Sequence, residues 1–173
     1  GLPASPGACW GKICFRTEDA EREVRRNHKV ILVREETSPE DLAGMVAAEG
    51  ILTARGGMTS HAAVVARGMG KCCVSGCSQL RISEKEKTIT TPDGKIYREG
   101  EYLSLNGNTG QIYAGKVKTV KAELSEDFNT LMEWADEIRE LKIRTNADNL
   151  IEARVADEFG AEGIGLFRTE YMF

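Results

Sequence analysis

The chain has 173 residues, of which 41% are hydrophobic and 29% charged, and its formal net charge at pH 7 is −4. That length suits one or two small domains, and the composition allows a buried core rather than a disordered chain. A mildly acidic chain offers no basic surface for nucleic acid or an anionic membrane, and no apolar run approaches the roughly 18 residues of a membrane span. The sequence therefore predicts neither a nucleic-acid nor a membrane partner.

Five cysteines are present, and the first residues of the sequence do not have the pattern of a secretory leader, so we expect none. An odd number of cysteines without a leader favours free thiols in a reducing cytoplasm. Cys72, Cys73 and Cys77 lack the two separated knuckles of a zinc ribbon, so we expect core thiols and no metal ligands. The chain reads as the middle of a longer polypeptide, so the expected compartment becomes an organelle, such as a plastid or glycosome, if a targeting segment lies outside it.

Strands alternate with helices in the first part of the chain. Short, wholly apolar runs predict strands buried on both faces, and the order strand–helix–strand–helix–strand predicts parallel pairing. In the middle helix, Leu42, Met45 and Val46 are spaced to form the buried stripe. The predicted strands are 8–15, 30–33, 51–54 and 72–75. The predicted helices are 18–27, 38–50 and 61–69.

A β-rich region follows, and it is expected to pack as a separate half beside the α/β half. Asp93-Gly94 and Asn106-Gly107 each separate two strand-like runs, which is a hairpin signal. From Ser125 to about Leu141 an amphipathic helix is predicted, which we interpret as a connector. The strand–helix–strand pattern over 142–167 is the one with which a (β/α)₈ barrel begins, although such a barrel needs about 250 residues. A further strand or loop is expected over 170–173.

The residues around His61 combine the features of an anion site. Gly56 and Gly57 allow a sharp turn and the close approach of a bulky anion, and the helix that Thr59 or Ser60 caps presents unpaired N–H groups. A neutral imidazole beside that site is a competent nucleophile for phosphoryl transfer.

Two basic side chains lie close to His61 in the sequence, and one other histidine is present. Arg55 and Arg67 are cations that could hold a phosphoryl group on the imidazole. On spacing alone, however, such a histidine is more often an ordinary helix-start residue with a satisfied hydrogen bond. His28 closes a charged surface helix and is expected to be structural.

The segment from Gly56 to Gly68, GGMTSHAAVVARG, resembles the phosphohistidine signature of the phosphoenolpyruvate-utilising enzymes. Three further segments resemble the dikinase branch of that family, which acts on pyruvate and phosphate, and the resemblance spans essentially the whole chain. They are 37–41 (TSPED), 70–77 (GKCCVSGC) and 105–110 (LNGNTG).

The resemblance implies a fold and a division of labour. Residues 1–118 would be a swivelling β/β/α phosphohistidine domain, 119–141 a connector helix, and 142–173 the truncated start of a barrel that binds phosphoenolpyruvate and pyruvate. An ATP-grasp domain of the same polypeptide would pass the β-phosphoryl of ATP to His61, which would pass it to pyruvate. The net reaction would interconvert ATP, phosphate and pyruvate with AMP, pyrophosphate and phosphoenolpyruvate. Mg²⁺ would be bound mostly outside this chain, and the parent enzyme would be a homodimer.

The resemblance also implies roles for single residues. The Thr37 hydroxyl would hold the imidazole in the resting state, and Arg168 would bind the phosphate of phosphoenolpyruvate. Thr59 matches a position that a regulatory kinase modifies, and a phosphate there would repel the incoming donor. Phe167 and Tyr171 depart from the family pattern, which often has Cys and His there.

Two other functions remain open on the sequence. One is the carrier domain of a phosphoenolpyruvate synthase, which transfers to water instead of phosphate. The other is a non-catalytic docking module of the same fold, which would carry no phosphate on His61.

Overall fold

The structure, a computed structural model, describes residues 1–120 and 126–169, with only the backbone at Ile151. The chain forms two compact units, Gly1–Lys121 and Ala122–Phe173. The strands of the first unit are β1 Leu2–Ser5, β2 Ala8–Cys14, β3 Val30–Arg34, β4 Gly50–Thr53, β5 Cys72–Ser75, β6 Arg81–Ser83, β7 Thr88–Thr90, β8 Ile96–Arg98, β9 Tyr102–Asn106 and β10 Gln111–Ala114. Its helices are α1 Thr17–Arg25, α2 Leu42–Ala47 and α3 His61–Gly68, and a 3₁₀ turn, Pro39–Asp41, precedes α2.

A seven-stranded mixed sheet organises the first unit, in the order β1-β5-β4-β3-β2-β9-β10. The four central strands are parallel, as the alternation of strands and helices predicts, and β1, β9 and β10 are antiparallel to their neighbours. A separate three-stranded antiparallel sheet contains β6, β7 and β8. The predicted mixed α/β class is confirmed.

Both faces of the central strands are buried, which explains their apolar sequences. Ile31 and Val33 point to the face that the small sheet and β9 cover. Val30 and Leu32 point to the opposite face, where α1, α2 and α3 contribute Ala20, Met45 and several alanines. Because successive side chains point to opposite faces, a strand covered on both sides is apolar along most of its length, and the polar residues Arg34, Thr53 and Ser75 come last in β3, β4 and β5.

The expectation of a separate β-rich half holds for β6, β7 and β8, which form their own sheet, but it is wrong for β9 and β10. The strand β9 pairs with β2 from Ala8↔Asn106 to Lys12↔Tyr102, so the hairpin β9–β10 extends the α/β sheet. Leu103 and Leu105 are buried in the same core as the central strands, which stabilises this pairing. The strand β1 was not predicted. It is a four-residue strand at the edge of the sheet and contains Pro3, a residue that edge strands tolerate.

The predicted stripe of the middle helix is also corrected. Met45 is fully buried, but Leu42 and Val46 are 46% and 55% exposed. A Cβ added at Gly44 would lie 2.9 Å from the Thr17 Cα, so α2 meets α1 through its glycine. The close approach at Gly44 turns Leu42 and Val46 toward solvent.

The second unit contains α4 Glu126–Ile138, β11 Thr145–Asn146, α5 Leu150–Glu158 and β12 Ile164–Leu166. The strands β11 and β12 are parallel and flank α5, so the predicted strand–helix–strand order is confirmed, although β11 is much shorter than 142–147. Asn149 caps α5 by accepting the Glu152 N–H at 2.9 Å. The apolar stripe of α4 is exposed along the whole described helix. The predicted helix start at Ser125 and the strand or loop over 170–173 lie outside the described residues.

Across residues 1–120 and 126–169, none of the helices has both the length and the apolar character to span a bilayer.

Candidate functional site around His61

His61 is the first residue of α3, directly after the loop that follows β4. Ser60 is the N-cap, and its hydroxyl accepts the Ala63 N–H at 3.4 Å. The first amides of an α-helix have no partner within the helix, so they give its N-terminus a partial positive charge. His61 itself is half-buried.

The glycine loop before His61 is shaped by two different constraints. Gly56 has a φ of +102°, and a Cβ there would lie 2.9 Å from the Ser60 Cβ, so a side chain is excluded. A Cβ at Gly57 would meet nothing within 4 Å. The loop is therefore tight at Gly56 and open at Gly57, on the approach to the helix N-terminus.

Thr37 and His61 come together because their loops follow neighbouring parallel strands. The Thr37 Oγ1 and the His61 Nδ1 lie 3.0 Å apart, and Thr37 is only 5% exposed. If Nδ1 carries the proton, the Nδ1–H group donates a hydrogen bond to the Thr37 hydroxyl oxygen, and Nε2 keeps its lone pair. The arrangement thus suits a ring that reacts through Nε2.

The two predicted cations occupy different positions. The Arg67 guanidinium donates to the Met58 and Ala4 carbonyl oxygens, at 2.6 and 3.2 Å, so it fastens α3 to the glycine loop and to β1. Arg55 is exposed and lies 3.6 Å from a carboxylate oxygen of Glu35. Arg55 is therefore a solvent-exposed cation beside the glycine loop, whereas Arg67 stabilises the backbone around the site.

Thr59 is exposed two residues before His61. The capping hydroxyl belongs to Ser60, so the side chain of Thr59 is not occupied as the helix cap. An exposed hydroxyl in this place is accessible from solvent.

Sequence reasoning missed three residues that hold the Thr37 loop. Arg34 forms ion pairs with Asp41 and Glu84, and both carboxylates also accept backbone N–H groups of the loop. Asp41 stands out in the sequence only as the last residue of the dikinase-like segment 37–41. Glu84 follows β6 and is distant in sequence, so no local pattern connects it with the site.

His28 is tied into a surface network, as expected of a structural residue. Its Nδ1 lies 2.8 Å from Glu23 and 3.1 Å from the Lys12 Nζ. Hydrogen bonds from Lys12 and His28 lower the pKa of Glu23 to about 2. This cluster is built around the carboxylate of Glu23, and His28 is one of its partners.

In the second unit, Arg168 follows β12 and Asp148 follows β11. The Asp148 carboxylate accepts the Arg168 backbone N–H at 2.6 Å and a guanidinium N–H at 2.7 Å. These bonds lower the pKa of Asp148 below its ordinary value. Arg168 is therefore fixed at the carboxyl edge of two parallel strands, where ligand-binding residues of α/β folds are concentrated. Asp148 was not singled out from the sequence.

The five cysteines are buried free thiols, which confirms that prediction. Burial raises the pKa of Cys14 and of Cys73 to about 12. Within the described ranges, no three His, Cys, Asp or Glu side chains are grouped in a way that would hold a metal ion.

Two family models match the chain. Residues 26–110 match the mobile domain of PEP-utilising enzymes, and residues 122–173 match the PEP-binding domain of the same enzymes. Together the two matches span most of the sequence, and the first contains His61, its glycine loop and Thr37.

Several curated relatives are similar along essentially the whole chain. It is 57% identical to pyruvate, phosphate dikinase of Clostridium symbiosum over 99% of its length and 20% of that protein. It is 59% identical to pyruvate, phosphate dikinase 1, chloroplastic, of Oryza sativa subsp. japonica, over 100% of its length and 18% of the relative. Pyruvate, phosphate dikinase 2 of Zea mays is 58% identical, with coverages of 100% and 20%. The chain thus spans about a fifth of each relative.

The glycine loop, the capped helix that begins at His61 and the Thr37 contact all lie within the segment that matches the mobile domain. With the match of residues 122–173 and the identity to the dikinases, they show that this chain belongs to the PEP-utilising enzymes.

Proposed function

We propose that this chain is the phosphoryl-carrying part of a pyruvate, phosphate dikinase, with His61 as the carrier. The parent enzyme interconverts ATP, phosphate and pyruvate with AMP, pyrophosphate and phosphoenolpyruvate. The observation that carries the proposal is the 3.0 Å contact between the Thr37 Oγ1 and the His61 Nδ1, at the start of a capped helix. It leaves Nε2 as the ring nitrogen available for transfer.

The residues of this chain act on the imidazole and on the group it receives. As Nε2 forms its bond to phosphorus, the bond between phosphorus and the donor oxygen breaks and the ring becomes cationic. The Nδ1–H group then donates to the Thr37 hydroxyl, which stabilises that charge. The amides at the start of α3 and the open side of Gly57 accommodate the phosphoryl oxygens, and Ser60 keeps the helix start in place.

His61 must meet two donors that lie outside its own unit. We assign residues 1–118 to a swivelling phosphohistidine domain, 119–141 to a connector, and 142–173 to the beginning of a barrel that binds phosphoenolpyruvate and pyruvate. Arg168, held by Asp148, would bind the phosphate of phosphoenolpyruvate. The partners of this chain would be an ATP-grasp domain and the rest of the barrel in the same polypeptide. The parent enzyme would be a homodimer in the cytoplasm or in an organelle.

Magnesium supplies charge neutralisation in phosphoryl transfer. Its ligands would lie mostly outside this chain, whose described residues include no group of three or more His, Cys, Asp or Glu side chains that could hold the ion. Thr59 would be the site of a regulatory kinase, because a phosphate on its exposed hydroxyl would repel an anionic donor.

Labelling of the full-length parent enzyme tests the carrier role. The enzyme is incubated with labelled phosphoenolpyruvate and magnesium, without nucleotide, and acid-labile phosphate is mapped by peptide mass spectrometry. We expect label on His61, its loss in a His61→Ala variant, and its retention in a His28→Ala variant, because these are the two histidines of this sequence. Label on another residue, or none, would contradict the proposal and favour a docking module.

The inorganic products of ATP turnover, pyrophosphate or phosphate, identify the second acceptor. A dikinase releases pyrophosphate from ATP in the presence of phosphate and pyruvate. Release of phosphate alone would instead assign the carrier to a phosphoenolpyruvate synthase.

A further inference from the structure

We propose that Arg34 is a positioning residue for His61, because it joins two carboxylates that fix the loop from which Thr37 reaches the imidazole. We call Arg34, Asp41 and Glu84 the Arg34 clamp. This inference rests on the proposed carrier role of His61 and adds residues to the same site.

The guanidinium of Arg34 also binds the protein backbone, independently of the two carboxylates. Arg34 is the last residue of β3, and its Nη1 donates to the carbonyl oxygen of Phe15 at 3.0 Å. Phe15 is fully buried, so this carbonyl belongs to the rigid part of the unit. The charge of Arg34 is therefore held at the carboxyl end of the parallel strands.

Two carboxylates from different parts of the chain meet this charge. The Arg34 Nη2 lies 3.4 Å from Oδ1 of Asp41, and its Nη1 lies 3.2 Å from Oε2 of Glu84. Asp41 belongs to the 3₁₀ turn after Thr37, whereas Glu84 directly follows β6 of the small sheet. The clamp thus connects the loop to a second layer of the fold.

Each carboxylate uses its other oxygen to hold a backbone amide of the loop. Oε1 of Glu84 accepts the Glu35 N–H at 3.0 Å, and Oδ2 of Asp41 accepts the Ser38 N–H at 2.9 Å. Thr37 lies between these two fixed amides. Its backbone has little freedom as a result, and its hydroxyl is presented to the His61 Nδ1 at hydrogen-bond distance.

The charges make Arg34 the critical member of the clamp. Without its guanidinium, two carboxylates would share a partly buried place without a cation, and the Asp41 side chain is only 7% exposed. An unpaired buried carboxylate is unfavourable, so the loop would shift to hydrate it. Hydrogen-bond strength falls steeply with distance and angle, so a small shift would release the Nδ1–H group.

A conservative variant tests the clamp. In Arg34→Lys the positive charge stays, but one ammonium group cannot reach both carboxylates and the Phe15 carbonyl in the same planar geometry. We would measure phosphorylation of His61 in the full-length enzyme by single turnover from both sides, with ATP and phosphate and with phosphoenolpyruvate. The expected result is a fall of about 10- to 100-fold in the rate at saturating donor, as for an ångström-scale misplacement. The fall should be equal from both sides with KM unchanged, because both donors react with one nitrogen and bind in other domains.

A double-mutant cycle shows whether Arg34 acts through Thr37. Thr37→Val removes the hydroxyl, so Arg34→Lys should cause little further loss in a Thr37→Val background. Glu84→Gln should also lower both rates, but by less than Arg34→Lys does, because the amide oxygen of Gln can still accept the Glu35 N–H. Arg22→Lys is the matched control, because Arg22 forms a comparable ion pair with Asp19 in α1, and it should leave both rates unchanged.

The outcomes separate the two proposals. If His61 is labelled in the unmodified enzyme but the effects of Arg34→Lys and Thr37→Val are additive, or one donor alone is affected, the clamp is wrong and the carrier role stands. If His61 is never labelled, the carrier role fails and the clamp fails with it. Thermal melting of each variant identifies any rate loss that comes from general destabilisation.

Discussion

The two units of this chain use the same local pattern with different results. Both contain parallel strands joined by a capped helix, with Ser60 as the cap in the first unit and Asn149 in the second. In the first unit β3, β4 and β5 are almost wholly buried, whereas β12 is exposed along its length. Among the described residues of the second unit, Ala147 is the one buried apolar residue. A parallel pair therefore gives a core only where other layers cover both of its faces.

Hydrogen exchange is the broadest way to challenge this comparison. In the 173-residue chain we expect amides of β3 and β4 to exchange at least about 10³-fold more slowly than those of β11 and β12, since buried elements open only with global unfolding. Mass spectrometry of peptides from the two units measures the difference. Equal protection would mean that the second unit has a core that its exposed strands do not show.

A matched pair of truncations sharpens the comparison at single residues. Leu52→Ala removes a fully buried side chain from β4 and should lower the free energy of unfolding by about 2–5 kcal/mol. Leu150→Ala changes a leucine that is 69% exposed at the start of α5 and should change it by less than about 0.5 kcal/mol. Urea unfolding of both variants gives the two values. A large effect at Leu150 would show that its exposed surface is covered in solution.

The smallest expected effect is a pH dependence of stability, to which one carboxylate in each unit contributes. The pKa of Glu23 is lowered to about 2 by Lys12 and His28, so its stabilising contribution is present above its ordinary pKa of 4.5. That contribution is lost as the pH falls from about 4.5 to about 2. The stability difference between the unmodified chain and Glu23→Gln should therefore shrink over this range, as followed by urea midpoints at successive pH values.

Asp148 supplies the corresponding measurement in the second unit. Its pKa is lowered through the Arg168 bonds, so its contribution is also lost on acidification, beginning near its ordinary pKa of 3.8. Asp148→Asn should remove that dependence. A stability difference that grows as the pH falls, in either variant, would contradict the assigned ion pairs.

The sequence predicted the parts of the molecule that depend on local pattern. Apolar runs located the buried strands, the glycine loop located His61, and the family signature associated Thr37 with the imidazole. What it could not predict depends on tertiary contacts. Leu42 and Val46 have helical spacing, yet the close contact at Gly44 decides which face of α2 is buried.

The site shows the same division. His61 and its loop were singled out from adjacent residues, and the structure places His61 at a capped helix start directly after the glycine loop. The Arg34 clamp was not predicted because Glu84 and Glu35 are 49 positions apart and meet only after the small sheet packs on the core. Arg67 was expected to hold a phosphoryl group, and the structure adds that two of its guanidinium N–H groups bind the carbonyl oxygens of Ala4 and Met58. Composition and spacing do not reveal such competition for hydrogen-bond donors.

The small sheet has a consequence for how sequences of this kind can diverge. The Glu84 side chain must reach the Glu35 N–H, so a residue inserted or deleted between β5 and β6 would displace a group that holds the loop of Thr37. The turn at Asp93-Gly94, at the end of the small sheet opposite Glu84, is exposed, and a side chain at Gly94 would meet nothing within 4 Å. We therefore expect related sequences to differ in the length of the Asp93-Gly94 turn and to share the length of the connection between β5 and β6.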